Sequence, residues 1–414
     1  MTQRIPRRRF LREASAGVTA FLGAPWLGRM TLSAQQGVVP AIPGLADNHV
    51  LVIIQLDGGN DGLNTVVPYG DDIYYQRRPH IAIRPGAVHK LDEHTGLHPE
   101  LVELKQLYDA GELAIVQNVG YPDQNRSHFT SRDIWSKATW FDPTEPAEVL
   151  DGWVGRYFER YCDDVVSPML GLRIGRRTTL AFASASPRSV TIENPAIMEW
   201  TGYDTELRAL QGRSASAANA NDPLERIRQL SQQTVSLADR IHAAQQNASR
   251  ADYPPFRLSQ SLRLIGQMVA AGLPTRVFYV SITGFDTHVE QLRGQRGILQ
   301  ELSQAVGAFA RDMRAAGQWD RTLVMTVSEF GRRVAENGTV GTDHGSASAM
   351  FLAGGSVVPG LHGGIPDLGD LDDGDVRHRV DFRAVYASVL RQWFGVDPDP
   401  VLFGHFEPVE LLRV

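Results

Sequence analysis

The sequence predicts an α/β protein: one doubly wound, mostly parallel sheet with a helical insertion. Apolar runs of strand length recur along the chain, amphipathic helical stretches separate them, and three of the runs end in acid or imidazole side chains. Open α/β sheets keep their ligands beyond the carboxyl ends of their strands, so the third observation also locates a site.

Composition sets the bounds. The chain has 414 residues, 43% hydrophobic and 21% charged, as in an ordinary globular protein. Its formal net charge of −6 gives no nucleic-acid footprint. Cys162 is the single cysteine, which excludes an internal disulfide and a Cys-rich zinc site. Any metal must be held mainly by Asp, Glu, His or hydroxyl groups.

Residues 1–34 read as a twin-arginine signal. Arg7-Arg8-Arg9-Phe10-Leu11 is followed by an apolar stretch from Ala14 to Leu27 and a cleavage site at Leu32-Ser33-Ala34. The stretch is shorter than the roughly 20 residues of a spanning helix. A folded protein exported through the Tat machinery to the periplasm or beyond is expected, with no stable membrane span. Residues 35–47 are a Pro/Gly linker, and 48–414 form the domain.

A strand is expected from His49 to Leu56. An amphipathic helix follows over 98–110, with Leu101, Leu104 and Leu107 on one face and Gly111 as its stop. Leu113–Val119 is the next strand, which makes a strand–helix–strand unit and argues for parallel pairing. Ser127 opens another helical pattern. Residues 139–255 are an inserted region, with helical periodicity at Leu224, Ile227, Leu230, Leu237 and Ile241. A helix over Phe256–Ala271 leads into a strand over Arg276–Ile282. A helix over Arg296–Ala316 leads into a strand over Arg321–Val327. Ala349–Ala353 is a further apolar run, and Asp381–Phe394 a closing helix.

The candidate chemistry lies at the strand ends. Asp57 begins the turn Asp57-Gly58-Gly59-Asn60-Asp61-Gly62 and is either a metal ligand or a turn-forming Asp. Gly58–Gly62 lacks the Gly-x-Gly-x-x-Gly spacing, which argues against a dinucleotide-binding fold. Arg126-Ser127-His128 precedes a helix. Ser127 is either an N-cap or a nucleophile activated by a metal, and His128 a ligand, a base or a solvent-facing residue. Arg126 offers a bidentate grip on an oxyanion. Asp286 and His288 alternate in extended backbone and so share a side. Glu329 ends a strand, and Asp343-His344 follows a polar loop. Adjacent carboxylate and imidazole groups suit a divalent cation.

Together the signal, LDGGNDGLN (56–64), LHPELVELKQLYDAGELAIVQNVG (97–120), Arg126–Phe129, GFDTH (284–288), SEFGR (328–332) and TDHG (342–345) resemble the bacterial domain of unknown function 1501 family. That family is placed in the alkaline phosphatase and sulfatase superfamily. The resemblance implies a parallel-sheet α/β/α sandwich holding one or two divalent metal ions, with zinc, manganese and calcium as the candidates. It implies hydrolysis or transfer of phosphate or sulfate ester groups, on a small molecule or a polymer. By position it implies Asp57, Asp286, His288, Glu329, Asp343 and His344 as metal ligands and Ser127 as nucleophile, with Arg126 or His128 steadying the transferred group. A final ligand would come from His362, His378 or His405. The Cys-x-Pro-Ser-Arg signature of formylglycine sulfatases is absent. The expected function is an exported metal-dependent ester hydrolase; the alternative is a non-catalytic periplasmic binding or assembly protein that retains the fold.

Overall fold

The computed structural model describes residues 49–139, 151–162, 169–186, 188–193 and 239–413. The signal (1–34), the linker (35–47) and much of the inserted region (139–255) lie outside the described residues, including Leu224, Ile227, Leu230 and Leu237 of the expected insertion helices. The chain separates into two units, Met1–Val39 with Asn194–Ala248 and Pro40–Glu193 with Ser249–Val414. The second carries every element named below.

Strand β1 (Val50–Asp57) is a run of β-branched and apolar residues, buried almost throughout. Helix α1 (Val102–Asp109) buries Leu104 and Leu107. It starts later than the apolar pattern suggests because Pro99 disfavours helical backbone at His98. Strand β2 (Leu113–Gly120) follows, then α2 (His128–Lys137) and α3 (Trp153–Tyr161). Two short strands, β3 (Gly171–Ile174) and β4 (Ser189–Ile192), come from the described part of the 139–255 region. Helix α4 (Arg257–Ala270) leads into β5 (Val277–Thr283), and α5 (Gln291–Ala315) into β6 (Thr322–Val327). Strands β7 (Ser348–Ala353), β8 (Gly360–His362) and β9 (Val380–Asp381) precede α6 (Phe382–Ser388), which runs on into a π-helical turn over Val389–Trp393.

These strands form one nine-stranded sheet in the order β8-β2-β7-β6-β1-β5-β3-β4, with β9 also paired to β2. All pairings are parallel except those of β7, which runs antiparallel to both β2 and β6. The expected mostly parallel α/β architecture is therefore present, with one reversed strand. Leu51 and Ile53 pack in a cluster with Trp135, Trp153, Phe382 and Tyr386 from α2, α3 and α6. Val52 and Ile54 point the other way and are also fully buried, so the sheet is covered on both faces. No helix among the described residues is long and apolar enough to cross a membrane.

The central strands position the site. β1 pairs in parallel with β5 and β6, placing Asp57 beside Thr283 and Gln55 beside Val327. The carboxyl ends of β1, β5 and β6 therefore lie side by side. The loops that carry Asp57, Asp286-Thr287-His288 and Ser328–Arg332 leave from one edge of the sheet.

Candidate metal centre

Glycines close these loops onto one another. Gly58 has a φ of +124°, and a Cβ there would stand 2.3 Å from the Asp286 amide nitrogen. Gly341 would place a Cβ 2.3 Å from the His288 carbonyl carbon. Only the missing side chains allow the turn after β1 and the 333–345 loop to press against the 284–288 segment. Helix α2 begins at His128, which brings the Arg126–His128 string to the same place.

Three imidazoles and one carboxylate converge there. Ligand atoms of His128, Asp286 and His344 all lie within 4.8 Å of one another. His128 Nε2 is 3.5 Å from Asp286 Oδ2, and His344 Nε2 is 3.2 Å from Asp286 Oδ1. His288 adds its Nε2, 3.1 Å from Asp286 Oδ1 and 3.0 Å from His344 Nε2.

The opposite ring nitrogen of each histidine is tied to an oxygen. His128 Nδ1 is 2.9 Å from Glu329 Oε1, His288 Nδ1 is 3.1 Å from Asp343 Oδ1, and His344 Nδ1 is 2.8 Å from the Arg126 carbonyl. A carbonyl or carboxylate oxygen only accepts, so each Nδ1 carries the proton. In the neutral rings the three Nε2 lone pairs then face the cluster, the tautomer a metal-ligating histidine adopts.

A buried layer fixes these groups. The Glu329 carboxylate is fully buried and accepts from the Gln55 side-chain amide (3.1 Å) and the Gly58 N–H (2.9 Å) besides His128. Tyr279 donates to the Gln55 carbonyl in turn. Asn337 donates to Asp343, which steadies the partner of His288. The Arg332 guanidinium is buried, donates to Asp286 Oδ1 at 2.7 Å and lies 3.4 Å from His288 Nε2.

The electrostatics follow from this wiring. Partial burial opposes ionisation of Asp286, but the hydrogen bond and charge of Arg332, with the imidazoles beside it, hold its pKa down at about 2. The hydrogen bond to Glu329 raises His128 above the ordinary imidazole value against the effect of burial. Burial lowers His344, outweighing the pull of the Arg126 carbonyl and the Asp286 carboxylate beside it. Burial raises Asp57 despite the charge of Arg132.

The structure thus brings together Asp286, His288, His344 and His128. Two expected ligands stand one step back: Glu329 behind His128, and Asp343 behind His288. Asp57 pairs with Arg132 at 2.8 Å and lies outside the three-residue donor group. Ser127 is exposed at the N-cap of α2 and makes no side-chain capping bond. It lies between Arg126, whose carbonyl holds His344, and His128. The Arg126 guanidinium is committed to Asp375 and Asp373, so its backbone rather than its charge meets the cluster. His362 meets the Val358 carbonyl and His405 pairs with Asp399; neither they nor His378 joins the donor group. Sequence reasoning missed Gln55, Arg132 and Arg332. Arg332 ends the SEFGR string and is separated from Glu329 by Phe330 and Gly331.

The family model described as "Protein of unknown function (DUF1501)" matches residues 117–407. The chain belongs to this family. A comparison with curated proteins finds no match. Similar solved structures include the C-terminal periplasmic domain of EptC from Escherichia coli in complex with zinc, at 11% identity and a TM-score of 0.38, covering 76% of this chain and 78% of that one. The lipoteichoic acid synthase LtaP from Listeria monocytogenes is similar at 10% identity and a TM-score of 0.39, covering 88% and 76%. An alkaline phosphatase superfamily protein from Vibrio parahaemolyticus is similar at 8% identity and a TM-score of 0.33, covering 86% and 72%.

Proposed function

We propose that this DUF1501 protein is an exported, metal-dependent hydrolase of phosphate or sulfate esters. The observation that carries the reading is the shared orientation of His128, His288 and His344, with each Nδ1 engaged and each Nε2 turned to Asp286.

The residues fit a divalent cation. Among the described residues, Asp57 pairs with the Arg132 guanidinium and Asp286 with that of Arg332. The histidine and carboxylate donors suit zinc or manganese more than calcium, which takes oxygen ligands. His128, Asp286 and His344 would hold the ion, with His288 as a fourth donor.

When bound, such an ion polarises an ester oxygen and lowers the pKa of a hydroxyl or water beside it. Ser127 is the proposed nucleophile. Its place at the start of α2 puts a hydroxyl where backbone N–H groups favour an anionic ester. Glu329 holds the His128 proton on Nδ1, Asp343 does the same for His288, and the Arg126 carbonyl for His344. Arg332 orients Asp286. The signal at 1–34 supports export through the twin-arginine route and action in the periplasm or outside the cell.

The test is a panel of aryl phosphate and sulfate esters, offered to metal-loaded wild type and to Ser127→Ala. Hydrolysis by wild type, reduced at least about 100-fold in Ser127→Ala with metal content unchanged, supports the reading. Equal rates for the two proteins would remove Ser127 from the chemistry. No turnover of any ester by metal-loaded wild type would favour the non-catalytic binding role.

A further inference from the structure

The hairpin Leu371–Val376 adds no side chain to the donor group, yet three of the segments around that group are tied to it. Leu371 pairs with Val376 and Asp372 with Asp375. The turn Asp373-Gly374 between them has positive φ at both residues, +50° and +83°. Asp-Gly is the pair that such a two-residue turn favours. The Val334 N–H donates to the Gly374 carbonyl (3.3 Å) and Arg333 Nη2 to Asp373 Oδ2 (3.2 Å), which ties down the segment after Glu329 and Arg332. The Ser346 hydroxyl, two residues beyond His344, donates to the Val376 carbonyl (2.7 Å). The third tie runs from Asp375 to Arg126, beside Ser127 and His128.

This last tie reaches the donors. Asp375 is 1% exposed, and its Oδ2 accepts from Nη2 (2.5 Å) and Nε (3.1 Å) of the half-buried Arg126. Desolvation of a buried acid offsets most of the attraction in such a pair, so its net stabilisation is small. What it fixes is position. The other end of Arg126 is its carbonyl, which accepts the Nδ1 proton of His344 at 2.8 Å. That carbonyl lies in the rigid peptide plane that also carries the Ser127 nitrogen. Arg126 is thus held at its guanidinium and at its peptide, and a shift at one end disturbs His344 and Ser127 at the other.

We infer that Asp375 is a positioning residue of the centre: through Arg126 it keeps the His344 proton on Nδ1 and holds Ser127 beside the donors. What this positioning serves rests on the proposed metal-dependent reading. The tie itself is a property of the metal-free chain and can be read without any ion.

The test reads the imidazole tautomers directly. Full-length protein with nitrogen-15 in its histidine rings is stripped of metal and held at about pH 8, above the ordinary imidazole pKa. Long-range nitrogen–proton correlation spectra then show which ring nitrogen carries the proton, with His128→Gln and His344→Gln to assign the signals. Both rings should be protonated on Nδ1 in wild type. Asp375→Asn should move the His344 signals towards a mixture of the two tautomers, while His128, held by Glu329, keeps its own. Arg126→Met breaks the pair from the other side and should give the same change; it also serves if Asp375→Asn does not fold. Chelator competition should show zinc bound about 10–100-fold more weakly by either variant, the loss typical of an outer partner. Unchanged His344 signals, or an unchanged zinc affinity, in both folded variants would overturn the assignment. An equal change at His128 and His344 would also overturn it, because it would mean general loosening and not a specific tie. Tautomers that shift as expected in a protein whose wild type binds no zinc would leave Asp375 as a positioning residue and sink the metal-dependent reading alone.

Discussion

The Nε2 atoms of His288 and His344 face each other at 3.0 Å, while the Nδ1 of each is tied to an oxygen of Asp343 or Arg126. Neutral rings in these tautomers set two lone pairs against each other, beside an ionised Asp286. A cation at that point turns the repulsion into coordination. Adding zinc or manganese to metal-free protein is therefore expected to stabilise it by about 2.7 kcal/mol at a concentration near 100 times the dissociation constant. Differential scanning calorimetry should show the melting temperature rise with either ion and fall again with a chelator, and His344→Ala should lose most of the response.

Glu329 acts through His128. Glu329→Gln keeps the shape of the side chain but removes the charge that anchors Nδ1. Loss of such an outer partner typically costs 10–100-fold in metal affinity. Competition against a chromophoric chelator should show a loss of that size, with the fold intact by circular dichroism. Unchanged affinity would mean that the His128–Glu329 contact does not orient a ligand.

Asp61 shares a turn with Asp57 but has a structural task. It caps a short helix at Gly62–Thr65 and pairs with Arg78, both residues being buried. Arg78→Met leaves that carboxylate buried without its ion partner, a change that costs about 3–5 kcal/mol. Urea unfolding should show the loss, while the variant keeps its metal content under native conditions.

Stability should also depend on pH through His98, which is buried beside α1 and accepts the Glu100 N–H on Nδ1. Burial lowers its pKa from the ordinary 6.5 to about 4. The folded state thus disfavours the protonated ring, and the unfolded chain binds the extra proton between these values. The sign is a loss of stability as pH falls from about 6.5 towards about 4, approaching about 3 kcal/mol at the bottom of that window. Urea midpoints across this range should fall in wild type and flatten in His98→Asn.

Much of this arrangement was legible in the sequence. Apolar runs ending in Asp57, in Asp286-Thr287-His288 and in Glu329 mark parallel strands, and the sheet brings their ends together. The reversal of β7 was not legible, because a fully buried strand carries no direction in its apolar pattern. The start of α5 at Gln291 was also hidden. Its first turn is buried through Gln291 and Gln295, which bond to one another and to Asp61, and polar side chains leave no apolar period. Within the site, Glu329 and Asp343 share the residue type of a ligand but stand behind a histidine. Only the fold tells an acid that faces the shared point from one that orients a ring. Arg332 went unread because its four carbonyl partners, Gly58, Gly59, Phe285 and Thr342, come from three loops far apart in sequence.

The central claim is that His128, Asp286 and His344 form a metal centre. The most direct test is elemental analysis of the purified full-length protein, for wild type and for the Asp286→Ala/His344→Ala variant. The account predicts near-stoichiometric metal in wild type and at least a tenfold loss in the variant. Wild-type protein that takes up no metal, even after incubation with excess zinc or manganese, would contradict it.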